Sequence, residues 1–208
     1  MGQYYIVINA DKKQYLEPHD YGNGMKLLEW SYIGNYVTNA LMNLLAGEWK
    51  GDHVYVVGDY ADLSNENEVW FGTLKKLTSR FRIHDGDYKN YPNAYSLFCR
   101  ATSTRSWKRV QDADTSDSTA RYIYNTATRQ VVDLSDCPRG YYDLQIHPVS
   151  LLLAIGNGRG GGDYYNTMVN EELVGTWVPH SEFIVVSDEP IPEYADFAPF
   201  APGFIEEE

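Results

Sequence analysis

The residue types best suited to chemistry in this chain are concentrated in one stretch, Gly156-Asn157-Gly158-Arg159-Gly160-Gly161-Gly162-Asp163. Gly156, Gly158 and Gly161 fit G-x-G-x-x-G, a spacing that lets backbone N–H groups approach a pyrophosphate. A dinucleotide fold needs a strand before such a run and a helix after it. Here His147-Pro148 followed by Leu151, Leu152 and Ile155 predicts a helix before it, with Gly156 as the stop. Asp163-Tyr164-Tyr165-Asn166 follows, and no Lys-Ser or Lys-Thr completes a phosphate loop. Two readings stay open. One is an anion nest, in which consecutive N–H groups and the Arg159 guanidinium grip a phosphate. The other is a glycine loop needed for tight turns near Trp177. The candidate ligand-binding set is therefore Gly156, Gly158, Arg159, Gly160, Gly161 and Asp163, and the ligand it suggests is a nucleotide or another phosphate compound.

Other chemistries have weaker support. His19, His53, His84, His147 and His180 each stand alone, without HExxH or HxH spacing, and His84-Asp85-Gly86-Asp87 reads equally well as a turn. The run from Asp112 imitates an EF-hand at its first, third and fifth positions. It lacks Gly at the sixth position, and Ile123 stands where a bidentate Glu belongs. No metal or other cofactor is expected. There is no G-x-S-x-G elbow, and neither Cys99 nor Cys137 has a neighbouring His. Asp52, Asp59 or Asp62 paired with Asp163 would suit a two-carboxylate hydrolase, yet nothing separates them from ordinary turn acids. No catalytic residue is assigned.

Two charged stretches suggest partners instead. Lys75 to Arg109 holds nine bases against Asp85 and Asp87, interleaved with Phe81, Tyr88, Tyr91, Tyr95, Phe98 and Trp107. Such interleaving suits stacking on a nucleic acid strand or grip on a phosphate-rich ligand; it equally suits an amphipathic hairpin with its aromatic side in the core. The last 21 residues hold seven acids and no base, with Pro190, Pro192, Pro199 and Pro202 alternating with Tyr194, Phe197, Phe200 and Phe204. Proline at that density excludes a regular helix, so an extended arm is expected. Opposite charge then suggests assembly. The arm of one molecule, through Tyr194, Phe197, Phe200 and Phe204, would lie on Lys75, Lys76, Arg80 and Arg82 of another.

These stretches are positioned by two halves of similar order. Tyr4-Tyr5-Ile6-Val7-Ile8-Asn9 and Gln14-Tyr15-Leu16 predict a hairpin around Asp11-Lys12-Lys13. After Asn35, the apolar positions Val37, Leu41, Leu44 and Leu45 make one helical face that Gly47 ends. Val54-Tyr55-Val56-Val57 is a strand. The order recurs with Asn125-Thr126-Ala127-Thr128-Arg129-Gln130, then Gly175-Thr176-Trp177 answering Gly47-Glu48-Trp49, and Val185-Val186 answering Val56-Val57. A true duplication and two unrelated hairpins both fit. The expected fold is α+β, with mainly antiparallel strands in two similar halves, short helices and an extended C-terminal arm. The segments are 1–68, a basic aromatic insertion at 69–120, 121–187 with the glycine loop, and 188–208; the polar run 112–119 is expected to be a flexible surface loop.

Composition narrows the class. The 208 residues are 43% hydrophobic, enough for a core, so global disorder is excluded. Seventeen Lys and Arg against 29 Asp and Glu leave a net charge of −12, which argues against a general nucleic-acid coat. No apolar run reaches the ~18 residues of a membrane span. The start Met1-Gly2-Gln3-Tyr4-Tyr5-Ile6 has no basic n-region, and Ile6 stands where myristoylation wants Ser or Thr. A cytoplasmic protein with two structural thiols is expected.

Met1-Gly2-Gln3-Tyr4-Tyr5 with Asn9-x-Asp11-Lys12-Lys13, Gly58-Asp59-Tyr60-Ala61-Asp62, and His147-Pro148 leading into Gly156 to Tyr164 together resemble a family of uncharacterised bacterial and prophage-type proteins. The likeness covers most of both halves. It implies a mobile-element or host-defence setting and no known activity, so it transfers no catalytic residue. The expected function is non-enzymatic binding, to a protein partner or to further copies of the chain, through a Tyr-rich surface. The alternative is phosphate-ligand binding or turnover at the glycine loop; nucleic acid and membrane are not expected partners.

Overall fold

A computed structural model of the chain describes residues 2–83, 97, 102, 106–140, 143–164 and 171–196. The first unit begins with β1 (Tyr5–Asn9) and β2 (Gln14–Leu16), an antiparallel hairpin in which Asn9 faces Gln14. Asn9 closes the turn itself: its side-chain oxygen accepts from the N–H groups of Asp11 and Lys12, both at 3.0 Å. A short helix α1 (Leu27–Trp30) precedes α2 (Tyr36–Ala46), whose Asn35 cap accepts from Val37 N–H at 2.8 Å. Then β3 (Val54–Gly58) pairs antiparallel with β1, from Tyr5 facing Gly58 to Asn9 facing Val54. From β3 the chain crosses the sheet through α3 (Phe71–Arg80) and returns as β4 (Lys108–Arg109), parallel to β2.

The second unit repeats this path. β5 (Tyr122–Asn125) and β6 (Gln130–Asp133) form a hairpin in which Asn125 accepts from Ala127 and Thr128 N–H, as Asn9 does 116 positions earlier. Lys13 and Arg129, at the same offset, both take positive φ, 52° and 57°. Helix α4 (Pro148–Leu152) is capped by His147 Nδ1, which accepts from Val149 N–H, where the first unit uses Asn35. After β7 (Ala154–Ile155) comes β8 (Ile184–Ser187), antiparallel to β5, and then β9 (Ala195–Asp196), parallel to β6. The four-stranded orders β4-β2-β1-β3 and β9-β6-β5-β8 are identical in sequence and direction. Each Gly-x-Trp motif locks its unit in one way. Trp49 Nε1 donates to Gln14 at 2.7 Å and Trp177 Nε1 donates to Gln130 at 2.9 Å. Trp49 and Trp177 N–H groups also bond the carbonyls of Leu44 and Leu152, at the ends of the two helices. The two halves are structural repeats.

One core joins them. The inner faces of both sheets, with Val7 and Val56 from the first and Ile123, Val132 and Ile184 from the second, share a cluster with Val37, Leu41 and Leu45 of α2 and Val149 and Leu152 of α4. Before the helices the two units meet in an antiparallel bridge at Tyr32 and Ile146, and Ile33 N–H bonds Gln145 O at 2.8 Å. Ile33 lies two residues before the Asn35 cap and Gln145 two before the His147 cap, so equivalent residues face each other, as a two-fold axis requires. A second cluster lies outside the first sheet, where Trp70, Leu74, Leu77 and Phe81 cover Ile6, Ile8, Tyr15, Tyr55 and Val57. Among the described residues, no helix is long and apolar enough to cross a membrane.

Two expectations change and a third gains anchors. The helix before the glycine run ends at Leu152, and Ala154–Ile155 is a strand paired with Val56 and Val57. A continuous apolar run carries no period, so only pairing with β3 chose between helix and strand. The start of the basic stretch is a helix rather than a hairpin, because Leu74, Leu77 and Phe81 recur at helical spacing against the sheet. The 112–119 run is a surface loop, as expected, and it is tied to α2: Asn39 donates to Thr115 O and Asp117, and Asn43 donates to Asp114 O and Ser116 O.

Candidate functional site

Parallel pairing of β3 with β7 sends two loops off the same sheet edge, Gly58–Asp62 and Gly156–Asp163. The carboxyl ends of these two parallel strands therefore open on the same side. Here Arg159 bridges the loops. Its guanidinium donates to Asp62 at 3.1 Å and Glu68 at 3.3 Å and lies over the Trp70 ring, 5.3 Å from the centroid. Arg159, Trp70, Glu68, Asn157, Gly158 and Val174 line a cavity of about 260 Å³. Trp70 is almost fully buried while Val69 beside it is 45% exposed, and Tyr4, whose N–H bonds Asp59, is 47% exposed. Burial pushes the Asp62 carboxyl up, but hydrogen bonds from Ser64 and the charge of Arg159 together hold it below its ordinary pKa.

The glycine loop does make a nest, and the chain fills it. Asp163 Oδ2 accepts from the N–H groups of Arg159 and Gly160, both at 3.0 Å, and Oδ1 accepts from Tyr5 OH at 2.9 Å. Asp163 has no exposed surface, and burial raises its pKa in spite of these donors. The carboxylate therefore occupies the N–H groups that the anion-nest reading offers to a phosphate. Gly156 has φ 100° and a Cβ there would lie 2.7 Å from both Gln3 Nε2 and Ala61 Cβ, so only glycine lets the loop close on the N-terminal segment. Gly161 O accepts from Gln3 N–H, and Gly158 takes φ 86°. Gln3 is wholly buried here, with neither side-chain amide atom hydrogen-bonded.

The remaining candidates fall elsewhere. Lys75, Lys76 and Arg80 lie on α3, and Arg82 follows it with φ 52°. Arg80 is paired with Asp11 at 3.1 Å, and Lys75 lies over Phe71. Tyr194 stacks edge-on against Tyr124 of its own chain, with centroids 4.8 Å apart, and Ile191 N–H bonds Tyr124 OH. The described part of the arm thus runs along its own chain into β9, the fourth strand of the second unit. Phe197, Phe200 and Phe204 lie outside the described residues, as do His84, Cys99, Tyr88, Tyr91, Tyr95 and Phe98. Asp52 bonds Asn9 and Lys12, and burial raises the Asp59 pKa. His147 is a buried cap, and burial pushes the Cys137 thiol up to about 12. Among the described residues, no group of three or more His, Cys, Asp or Glu is placed to hold a metal ion.

Glu68, Val69 and Trp70 were missed as site residues because they carry no motif. Their one sequence signal was a Trp between acids and the start of an amphipathic stretch. No protein-family model, no curated protein and no solved structure matches the chain.

Proposed function

We propose that the chain is a non-enzymatic binding protein that engages a protein partner through the crevice at the ends of β3 and β7. The observation that carries this reading is Arg159 laid over Trp70 between Asp62 and Glu68, with exposed Tyr4 and Val69 nearby. Trp, Tyr and Arg are the residues that contribute most at protein interfaces, above all where one is preset by its neighbours. A cavity of about 260 Å³ suits a side chain of a partner better than a nucleotide. The phosphate reading is disfavoured, because Asp163 already takes the N–H groups of Arg159 and Gly160, and two carboxylates already neutralise Arg159. We place the partner in the mobile-element or host-defence setting that the sequence resemblance implies, and the protein in the cytoplasm.

The experiment compares wild type with Arg159→Glu in quantitative capture from host lysate, alongside light scattering and a thermal-shift series with inorganic phosphate, pyrophosphate and nucleotides. A partner held by wild type and lost by Arg159→Glu supports the proposal. Capture indifferent to Arg159→Glu overturns it. So does stabilisation by pyrophosphate or a nucleotide that Arg159→Ala abolishes, which at 100 times Kd is about 2.7 kcal/mol.

A further inference from the structure

The two units differ in how the outer face of each sheet is covered. Strand registers make Ile6, Ile8, Tyr15, Tyr55 and Val57 of the first unit equivalent to Tyr122, Tyr124, Val131, Val185 and Ser187 of the second. In the first unit all five are buried in one cluster with Leu74 and Leu77 of α3, which the crossover from β3 to β4 carries, and with Trp70, Phe81, Trp107 and Val178. In the second unit the crossover from β8 to β9 is only residues 188–194, too short for a helix. Tyr194 covers Tyr124, but Tyr122, Val185 and Ser187 stay half-buried. Phe183 and Ile191 beside them are 43% and 39% exposed. The short crossover is also acidic, with Asp188, Glu189 and Glu193 exposed and Arg129 the base paired to Glu193.

We propose that this outer face, along Tyr122, Phe183, Val185 and Ile191, docks an amphipathic helix of a partner protein whose exposed edge is basic. The first unit shows the geometry within the same molecule. Helix α3 buries Leu74 and Leu77 on the equivalent face while presenting Lys75, Lys76 and Arg80, and it contains no acid. A helix of that composition meets the acidic crossover with opposite charge and sets apolar side chains on Val185 and Tyr122. A second copy of the chain is a poorer occupant, because a two-fold pairing of this face brings Asp188, Glu189 and Glu193 against themselves. The surface is separate from the Arg159 crevice.

The probe is a fluorescent synthetic peptide of residues 69–83, titrated into the full chain and read by anisotropy. Saturable binding is expected, weakening by about tenfold or more as salt rises from ~0.05 to ~0.5 M. The variant Val185→Asp is expected to weaken it by at least about tenfold, and the double variant Glu189→Lys with Glu193→Lys by a smaller factor. Phe183→Ser, at a more exposed position, serves as the second face variant should Val185→Asp unfold. No saturable binding, or equal binding by a folded face variant, overturns the proposal. A dimer seen by light scattering and dissolved by Phe183→Ser also overturns it, by giving the face to a second copy.

Discussion

At the scale of single residues, burial decides what the titratable groups do. His147 has no charged partner and is buried, so its pKa falls to about 3. The unfolded chain binds a proton near pH 6.5 that the folded chain refuses, so this histidine's contribution is complete above about pH 6.5 and is lost as the medium acidifies toward the folded value. Between pH 7 and pH 5 the loss amounts to about 2 kcal/mol. The role of His147 is to cap α4, a task that Asn35 performs for α2. His147→Asn is therefore expected to keep the cap and remove this part of the acid sensitivity. Urea unfolding of both proteins at pH 7 and pH 5 measures it; equal pH dependence in the two would refute the assignment. Asp163 has the opposite sign, since its raised pKa makes its contribution largest in acid and smaller as pH rises through the folded value.

At the scale of elements, each hairpin is tied to its Gly-x-Trp motif by one glutamine. Trp49 and Trp177 are fully buried, so removing the glutamine takes away the described acceptor of a buried indole N–H. Gln14→Ala and Gln130→Ala are each expected to lower stability by about 1–3 kcal/mol, and by similar amounts, in denaturant unfolding. A large difference between them would show that the equivalent bonds are not equivalent supports. Most elements were legible beforehand. The first hairpin, the second hairpin, α2, β3 and β8 all follow from β-branched runs, turn residues or helical period, whereas the Asn35 cap is seen only in the structure. What misled was the apolar run through Ile155, where strand or helix depends on a neighbour 98 positions away in β3.

At the scale of the whole molecule, the shared core makes one cooperative unit of two repeats. Val37 and Leu41 of the first unit and Ile123 and Ile184 of the second lie in one cluster, so neither half buries its apolar face alone. Heating is expected to give one transition, coincident by tryptophan fluorescence and far-ultraviolet circular dichroism, rather than two. Separate midpoints would mean that the units fold independently. The segregated charge also finds its explanation at this scale. Arg80 and Arg109 of the basic stretch are neutralised by Asp11 and Asp20 of the first unit. Arg129 of the second hairpin pairs with Glu193 of the acidic segment. These ion pairs each form within one unit.

The sequence by itself determined the α+β class, the repeated hairpin–helix–strand order and the position of the glycine loop. These rest on local period, turn chemistry and backbone freedom, which a few adjacent residues specify. Only the tertiary structure decided what fills the loop, because Asp163, Tyr5 and the N–H groups of Arg159 and Gly160 converge through strand pairing. It also decided that Arg159 meets Asp62, Glu68 and Trp70, residues about 90 to 97 positions away that no motif connects. Their meeting depends on β7 aligning with β3, a long-range pairing whose free energy comes from the core and leaves no periodic trace along the chain.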